Sequence, residues 1–287
     1  MITNILTYID GRGSSENAAE AAMQLAVRHN AHVEGLHIRA DPHDFITNAP
    51  VYSGIEAIEK FSDTFDREAA QIEERATGAF ARVRHAHGVG EQKAGSKPTQ
   101  PTAQWTVVSG SADTIVCQRA RVADVCVVGR SGYGRDNSTT SVIESALFDS
   151  GRPVLIAPPH APKSVGKDIV VAWNRSAAAA STLNSAMPLF DKAERICLVS
   201  VETGAKQGPP VEEAATYVER HGFTVDAKTL PLHNQGVGST LLRYTHTHDS
   251  SLLVMGAYSH SRLREVILGG VTRHVLENAT LPVLMVH

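Results

Sequence analysis

Cysteine is scarce in this chain: Cys117, Cys126 and Cys197 are scattered through 287 residues, each in apolar company. Three isolated thiols exclude a disulfide framework and lack the paired spacing of a zinc site, so buried, reduced core thiols are expected. An excess of one charge is lacking too. With 27 Lys+Arg against 30 Asp+Glu the formal net charge is −3, and no basic stripe runs along the chain. That excludes nucleic acid as a main partner. No apolar run approaches the ~20 residues of a spanning helix. Met1–Asp10 has no basic segment, apolar stretch and small-residue site of the kind a secretory leader shows. A soluble, cytoplasmic protein without a membrane partner is expected.

What is present is ample core material, 42% hydrophobic residues, and a chain that repeats itself. Asn4-Ile5-Leu6-Thr7-Tyr8-Ile9-Asp10 parallels Asp168-Ile169-Val170-Val171-Ala172-Trp173-Asn174, and each is followed by a Ser/Ala-rich, helix-favouring stretch. Ala123–Gly129 parallels Ser250–Gly256, and Arg152–Ala157 parallels Leu281–Val286. Three matched strands in the same order indicate a duplication. Two domains follow, 1–160 and 165–287.

The first copy is the longer one, and its surplus, about 41–104, falls after the strand His32–Ile38 and before the strand Trp105–Val108. Ile55, Ile58, Phe61, Phe65, Ala69, Ile72, Ala76, Phe80 and Val83 recur there at three- and four-residue steps, the stripe of an amphipathic helix of about 30 residues. Such a stripe needs a partner surface, either the neighbouring copy or a second chain. Gly88–Thr102 has hardly an apolar residue and is expected to be a mobile loop, replaceable by a short linker at little cost.

Short continuous apolar runs alternating with helical patterns argue for βαβ units and a parallel sheet. In the second copy, strands are expected near Ile169–Trp173, Ile196–Val201, Thr224–Leu230, Leu252–Met255 and Val283–Val286. Helices are expected near Ala177–Pro188, Val211–Arg220, Gly238–His248 and Val271–Asn278, the second closed by Gly222. The fold class is α/β: two tandem doubly wound, five-stranded parallel units of Rossmann-like type, with ligands beyond the carboxyl ends of the strands. The last strands, Pro153–Ala157 and Pro282–Val286, are too apolar to stay exposed and should pair with each other across a pseudo-twofold axis.

Chemistry concentrates in the segment Met255–Arg273. It leaves a buried strand at Gly256 and enters a helix near Val271, with glycines at both ends and the amides of Gly269, Gly270 and Val271 facing a ligand in the manner of an anion site. Here the chain resembles the universal stress protein family. The ATP-binding members of that family carry Gly, two residues, Gly, nine residues, Gly, then Gly, Ser or Thr. The matching positions are Gly256, Ser259, Gly269 and Gly270, followed by Val271 and Thr272. Ser259 stands where the family often has glycine, and Asn174 where many members have Asp.

The resemblance implies an adenine-nucleotide-binding protein of the stress response. It places adenine and ribose near Ala172, Asn174 and Val201, the phosphates on Gly269, Gly270, Val271 and Thr272, and Met255 and Gly256 beneath the nucleotide. ATP is the implied cofactor, with magnesium not assigned to any protein ligand; Asn174 lacks the charge to hold it directly. His260 lies inside the loop, within reach of a phosphate or a partner. The first copy keeps Gly129 and Gly132 but has Thr140-Ser141 in place of the glycine pair. Its pocket is expected to be altered or empty, with Arg130 and Arg135 left to hold a small anion.

Other motifs fail on context. Gly95-Ser96-Lys97 and Gly166-Lys167 lack Walker spacing, Gly11-Arg12-Gly13 reads as a turn, and Gly129-Arg130-Ser131-Gly132 is no nucleophile elbow. Among fourteen histidines, the pairs His85/His87 and His246/His248 sit two residues apart, on different helix faces, and read as solvated. The resemblance implies conformational signalling rather than turnover, with an unidentified protein partner and a homodimer left open. A slow ATPase or related enzyme, and a nucleotide-independent interaction scaffold, are the alternatives.

Overall fold

The computed structural model describes residues 1–40, 55–92, 99–130, 137–204, 208–257 and 269–287, with the side chains of 55–63 and 137 outside the description. In the first half, strands β1 (Asn4–Tyr8), β2 (His32–Arg39), β3 (Gly90–Glu91), β4 (Thr102–Ser109), β5 (Val125–Gly129) and β6 (Val154–Ala157) alternate with helices α1 (Gly13–His29), α2 (Ile55–Ala86), α3 (Ala112–Ala120) and α4 (Asn137–Asp149). The second half runs β7 (Asp168–Ala172), α5 (Ala177–Phe190), β8 (Arg195–Val201), α6 (Val211–Arg220), β9 (Asp226–Leu230), α7 (Val237–Thr247), β10 (Leu252–Gly256), α8 (Gly270–Asn278) and β11 (Val283–Val286). The expected second-copy elements are found with ends displaced by a residue or two. Gly222, at φ +90°, stops α6 as anticipated.

All strands join one sheet in the order β3-β4-β2-β1-β5-β6-β11-β10-β7-β8-β9. Every residue of β5, β6 and β11 is buried, because helices cover both faces and leave no reason for polar alternation. One apolar layer lies between the sheet and α1, α2, α5 and α6; the other lies under α3, α4, α7 and α8. Strand order reverses between β1 and β5 and between β7 and β10, which opens a crevice at the carboxyl ends in each half.

Within each half the strands are parallel, and the halves meet through the antiparallel pair β6 and β11. Leu155 sits opposite Leu284. The duplication aligns these same two leucines, so a pseudo-twofold axis passes between them. Pairing removes two apolar edges that would otherwise template aggregation.

Two expectations for the first half are corrected. The long helix exists, but its C-terminal half buries its stripe within its own domain: Ala76, Phe80 and Val83 join the core formed with α1 and the sheet. A Cβ on Gly35 in β2 would lie 2.4 Å from the Phe80 ring, and that ring packs against Trp105 with centroids 5.0 Å apart. The helix thus fills between β2 and β4 the crossover position that α6 fills between β8 and β9. The stretch from Gly88 to Thr102 is also not all loop. Val89 is buried, Gly90 and Glu91 pair with Thr102 and Ala103 as β3, and β4 begins at Thr102. Replacing the whole stretch would remove core and an edge strand; residues 93–98 lie outside the described residues.

The three cysteines are free and buried. Burial pushes the Cys126 thiol up to about 12, so it stays protonated and unreactive at neutral pH.

Candidate functional site

The second-half crevice is built from the turn that follows β7. Asn174 Oδ1 accepts hydrogen bonds from the Ser176 amide (3.2 Å) and Ser176 Oγ (2.6 Å), and Ser176 Oγ accepts from the Ala179 amide at 3.1 Å. An Asx turn therefore feeds directly into the N-cap of α5. The amide oxygen of Asn174 is committed to that turn, which leaves its Nδ2 donor for a ligand. Between them, Arg175 holds a left-handed φ of +67°. Its carbonyl would lie 2.4 Å from a Cβ on Gly208, and Trp173 Nε1 donates to Pro209 O at 3.0 Å. The segment after β8 is thereby pinned over the end of β7.

Beyond the strand ends lies a cavity of about 400 Å³. Its walls bring together Ala172, Asn174, Val201, Met255, Gly256, Gly269, Gly270, Val271 and Thr272, all marked in the sequence. Ser259 and His260 lie outside the described residues. Sequence reasoning missed Trp173, Arg175, Val199, Ser200, Thr203, Val237 and Leu241, which also line it. Val237 and Leu241 stand four residues apart on one face of α7. In a sequence that spacing reads as core, and only the sheet shows that the face is shared with a cleft. Among the described lining residues there is no carboxylate, and Arg175 is the cation.

The glycines divide by what surrounds them. A Cβ on Gly256 would lie 3.3 Å from Thr182 Oγ1 and 3.5 Å from the backbone of Ala178, so this glycine lets α5 approach β10. Among the described residues, nothing lies within 4 Å of a Cβ position on Gly269 or Gly270. Neither has a positive φ, so this turn asks for no backbone that only glycine adopts. What their small size does is leave the N-terminus of α8 bare. Gly269 is the N-cap, makes no side-chain cap bond, and the first turn carries no acidic residue. The Arg273 amide donates to Gly269 O, whereas the amides of Gly270, Val271 and Thr272 precede the first intrahelical acceptor and point out of the helix end. With the helix dipole behind them they favour an anion.

The matching crevice of the first half is narrower, about 200 Å³. Tyr8 stands where the second half has Ala172, and Phe65, Ala69 and Ile72 of α2 form a wall. Helix α4 begins at Asn137, so Thr140 and Ser141 lie inside it rather than at its tip. Arg130 is turned away from any anion: its guanidinium donates to the carbonyls of Leu276 and Ala279 in the second half. That corrects its expected role, while Arg135 lies outside the described residues. Gly11, at φ +77°, matches Arg175 and would place a Cβ 2.6 Å from Ile72 O, in keeping with a turn and a close helix contact.

The histidine pairs form no chelate, and no metal cluster occurs among the described residues. His87 and His248 are not free in solvent as expected. His87 Nε2 contacts Glu20 Oε1 at 2.6 Å, tying α2 to α1, and His248 stacks on Tyr244 with centroids 3.9 Å apart.

Comparison with known proteins gives this architecture its relatives. The model of the universal stress protein family matches residues 1–158 and again 172–287. The chain belongs to the universal stress protein family. Universal stress protein Slr1230 of Synechocystis is 34% identical over 71 residues, covering 25% of this chain and 24% of that protein. The chain thus spans about a quarter of that curated relative. A universal stress protein from Archaeoglobus fulgidus superposes with a TM-score of 0.65 at 14% identity, over 99% of this chain and 95% of that one. A putative universal stress protein from Pseudomonas aeruginosa gives 0.50 at 14% identity, over 99% and 93%. The tandem universal stress protein fold therefore holds across both halves, although only the second keeps the glycine pair. Among the described residues no helix is long and apolar enough to cross a membrane.

Proposed function

We propose that the second half binds an adenine nucleotide, with ATP as the ligand, and that the protein works as a nucleotide-dependent signalling or partner-binding member of its family. One observation carries the reading. The N-terminus of α8, which among the described residues has no side-chain cap and no acidic residue in its first turn, opens into a cavity at the carboxyl ends of β7, β8 and β10. A volume of about 400 Å³ lies within the range of small-ligand sites. Apolar Ala172, Val201, Val237 and Leu241 suit a purine, Asn174 Nδ2 and Ser200 suit a ribose, and the amides of Gly270, Val271 and Thr272 suit phosphate.

Turnover has little support. Hydrolysis needs a base near the attacking water, and the described lining residues provide no carboxylate or histidine. Magnesium, if it accompanies ATP, would be held by the phosphates and water. Calorimetric titration of the purified chain with ATP tests the reading, with one site per chain expected and no binding overturning it. Phosphate release over hours separates binder from enzyme, and a chain that neither binds nor hydrolyses ATP is a scaffold.

A further inference from the structure

Helix α8 ends differently from its counterpart in the first half. Counted from the matched Pro153 and Pro282, α4 corresponds to α8, and α4 terminates within its own half: Ser150 Oγ donates to Ala146 O, the Arg121 guanidinium donates to Asp149 O, and Gly151 turns the chain at φ +68°. In their place α8 has Ala279 and Thr280, and Ala279 is extended at φ −63°, ψ 135°. The serine–glycine stop is missing. Within α8, Asn278 Nδ2 donates to His274 O, and the carbonyls of Leu276 and Ala279 are met from the other half of the molecule. Arg130, the residue directly after β5 and 5% exposed, donates from its two terminal nitrogens to Leu276 O and Ala279 O.

The carbonyls at the end of a helix have run out of intrahelical donors and carry the negative end of its dipole, so a cation there satisfies both. Burial pulls the Arg130 pKa below its ordinary value, yet a guanidinium stays charged wherever the protein is folded. The pseudo-twofold axis does not repeat the contact. The residue matching Arg130 is Ala257, which is buried and has no donor to offer.

The helix held this way is the one whose other end forms the anion site. It is nine residues long, or about 13 Å at 1.5 Å per residue. A body so short moves as a unit, and a tilt allowed at its carboxyl end displaces the amides of Gly270, Val271 and Thr272. We propose that Arg130 is a positioning residue for the nucleotide site of the second half, so that affinity in one domain depends on a side chain rooted in the other. The proposal rests on the nucleotide reading of that site. It makes the two halves a single unit for ligand binding, and by linkage a ligand seated on α8 strengthens its hold on Arg130.

The test uses the full chain with Arg130→Met, which keeps aliphatic volume and removes the donors, and Arg130→Lys, which keeps the charge. ATP titration and amide hydrogen exchange are read on each. Arg130→Met should bind ATP about tenfold more weakly, the ordinary size of a coupling between sites. Exchange in α8 should accelerate while β8 and β10 keep wild-type protection, and Arg130→Lys should recover most of both effects. Wild-type affinity in Arg130→Met overturns the proposal. So does a loss spread evenly over the second half that lysine fails to recover, since that is the signature of lost packing. If Arg130→Met does not fold, Arg130→Gln replaces it. Should the wild-type chain bind no ATP, the nucleotide reading fails on its own, and the exchange data still decide whether Arg130 holds α8.

Discussion

Tyr8 and Ala172 occupy the same place at the end of the first strand in the two halves, and the crevices beyond them differ by about twofold in volume, 200 against 400 Å³. The sheets that carry them share strand order, and the two last strands pair about a common axis. In the first half an aromatic side chain, a crossing helix and an earlier start to α4 narrow the crevice. In the second, alanine, an α6 that contributes no residue to the described lining, and Gly269-Gly270 leave it open. A duplicated fold therefore keeps its core while a few residues at the strand ends narrow the cleft of one copy, because core residues answer to both sheet faces and cleft residues answer only to a ligand.

The strongest way to break this comparison is to loosen the long helix that distinguishes the first half from the second. Phe80→Ala should cost about 3–5 kcal/mol, because the ring fills the space over Gly35 and packs on Trp105. Urea unfolding close to wild type would mean that α2 is an appendage and not the first half's counterpart of α6.

Next in size is the anion site. Gly270→Val should weaken ATP binding by about two to four orders of magnitude, through the loss of charge-assisted amide contacts. Because no described residue crowds a Cβ at Gly270 and its φ is not positive, the melting temperature should barely change. A large fall in stability would show that this glycine serves packing. Importing the first half's aromatic with Ala172→Tyr should cost about tenfold in affinity, the scale of overfilling a packed wall. Unchanged titration curves for that variant would shift the cause of closure to α2 alone.

A finer contrast concerns pH. Asp124 Oδ2 accepts from the amides of Thr3 (2.7 Å) and Asn4 (2.9 Å) and from Thr3 Oγ1. In the second half Ser251 Oγ does the same for Lys167 and Asp168, both at 2.8 Å. One job is done by a carboxylate in one half and a hydroxyl in the other. Burial alone would raise the Asp124 pKa, but these hydrogen bonds outweigh it and hold it below the usual carboxylate range. A depressed native pKa stabilises above the unfolded value and is lost as pH falls through the native one. Asp124→Ser should therefore cost about 1 kcal/mol at neutral pH, a figure kept small by partial exposure. The gap to wild type should close in acid, and a gap that persists at pH 2 contradicts the charge argument. The smallest effect belongs to Ser141→Val in α4, which should leave ATP affinity within about a factor of three, as changes remote from a site do.

The sequence by itself determined the duplication, the α/β class, the identity and order of the second-half elements and most of the cleft-lining residues. These depend on local period and composition: continuous apolar runs make doubly covered strands, and glycines flanking a strand and a helix mark a tip. Only the tertiary structure decided which glycines serve packing and which bare a helix end. Gly256 and Gly270 look alike in a string of letters, and the difference lies in Thr182 and Ala178 on another helix. It also decided that the C-terminal half of α2 buries its stripe at home, and that Arg130 reaches across to α8 instead of holding an anion. Those facts are contacts between residues far apart in the chain, and no local pattern encodes where a helix face or a long side chain finds its partner.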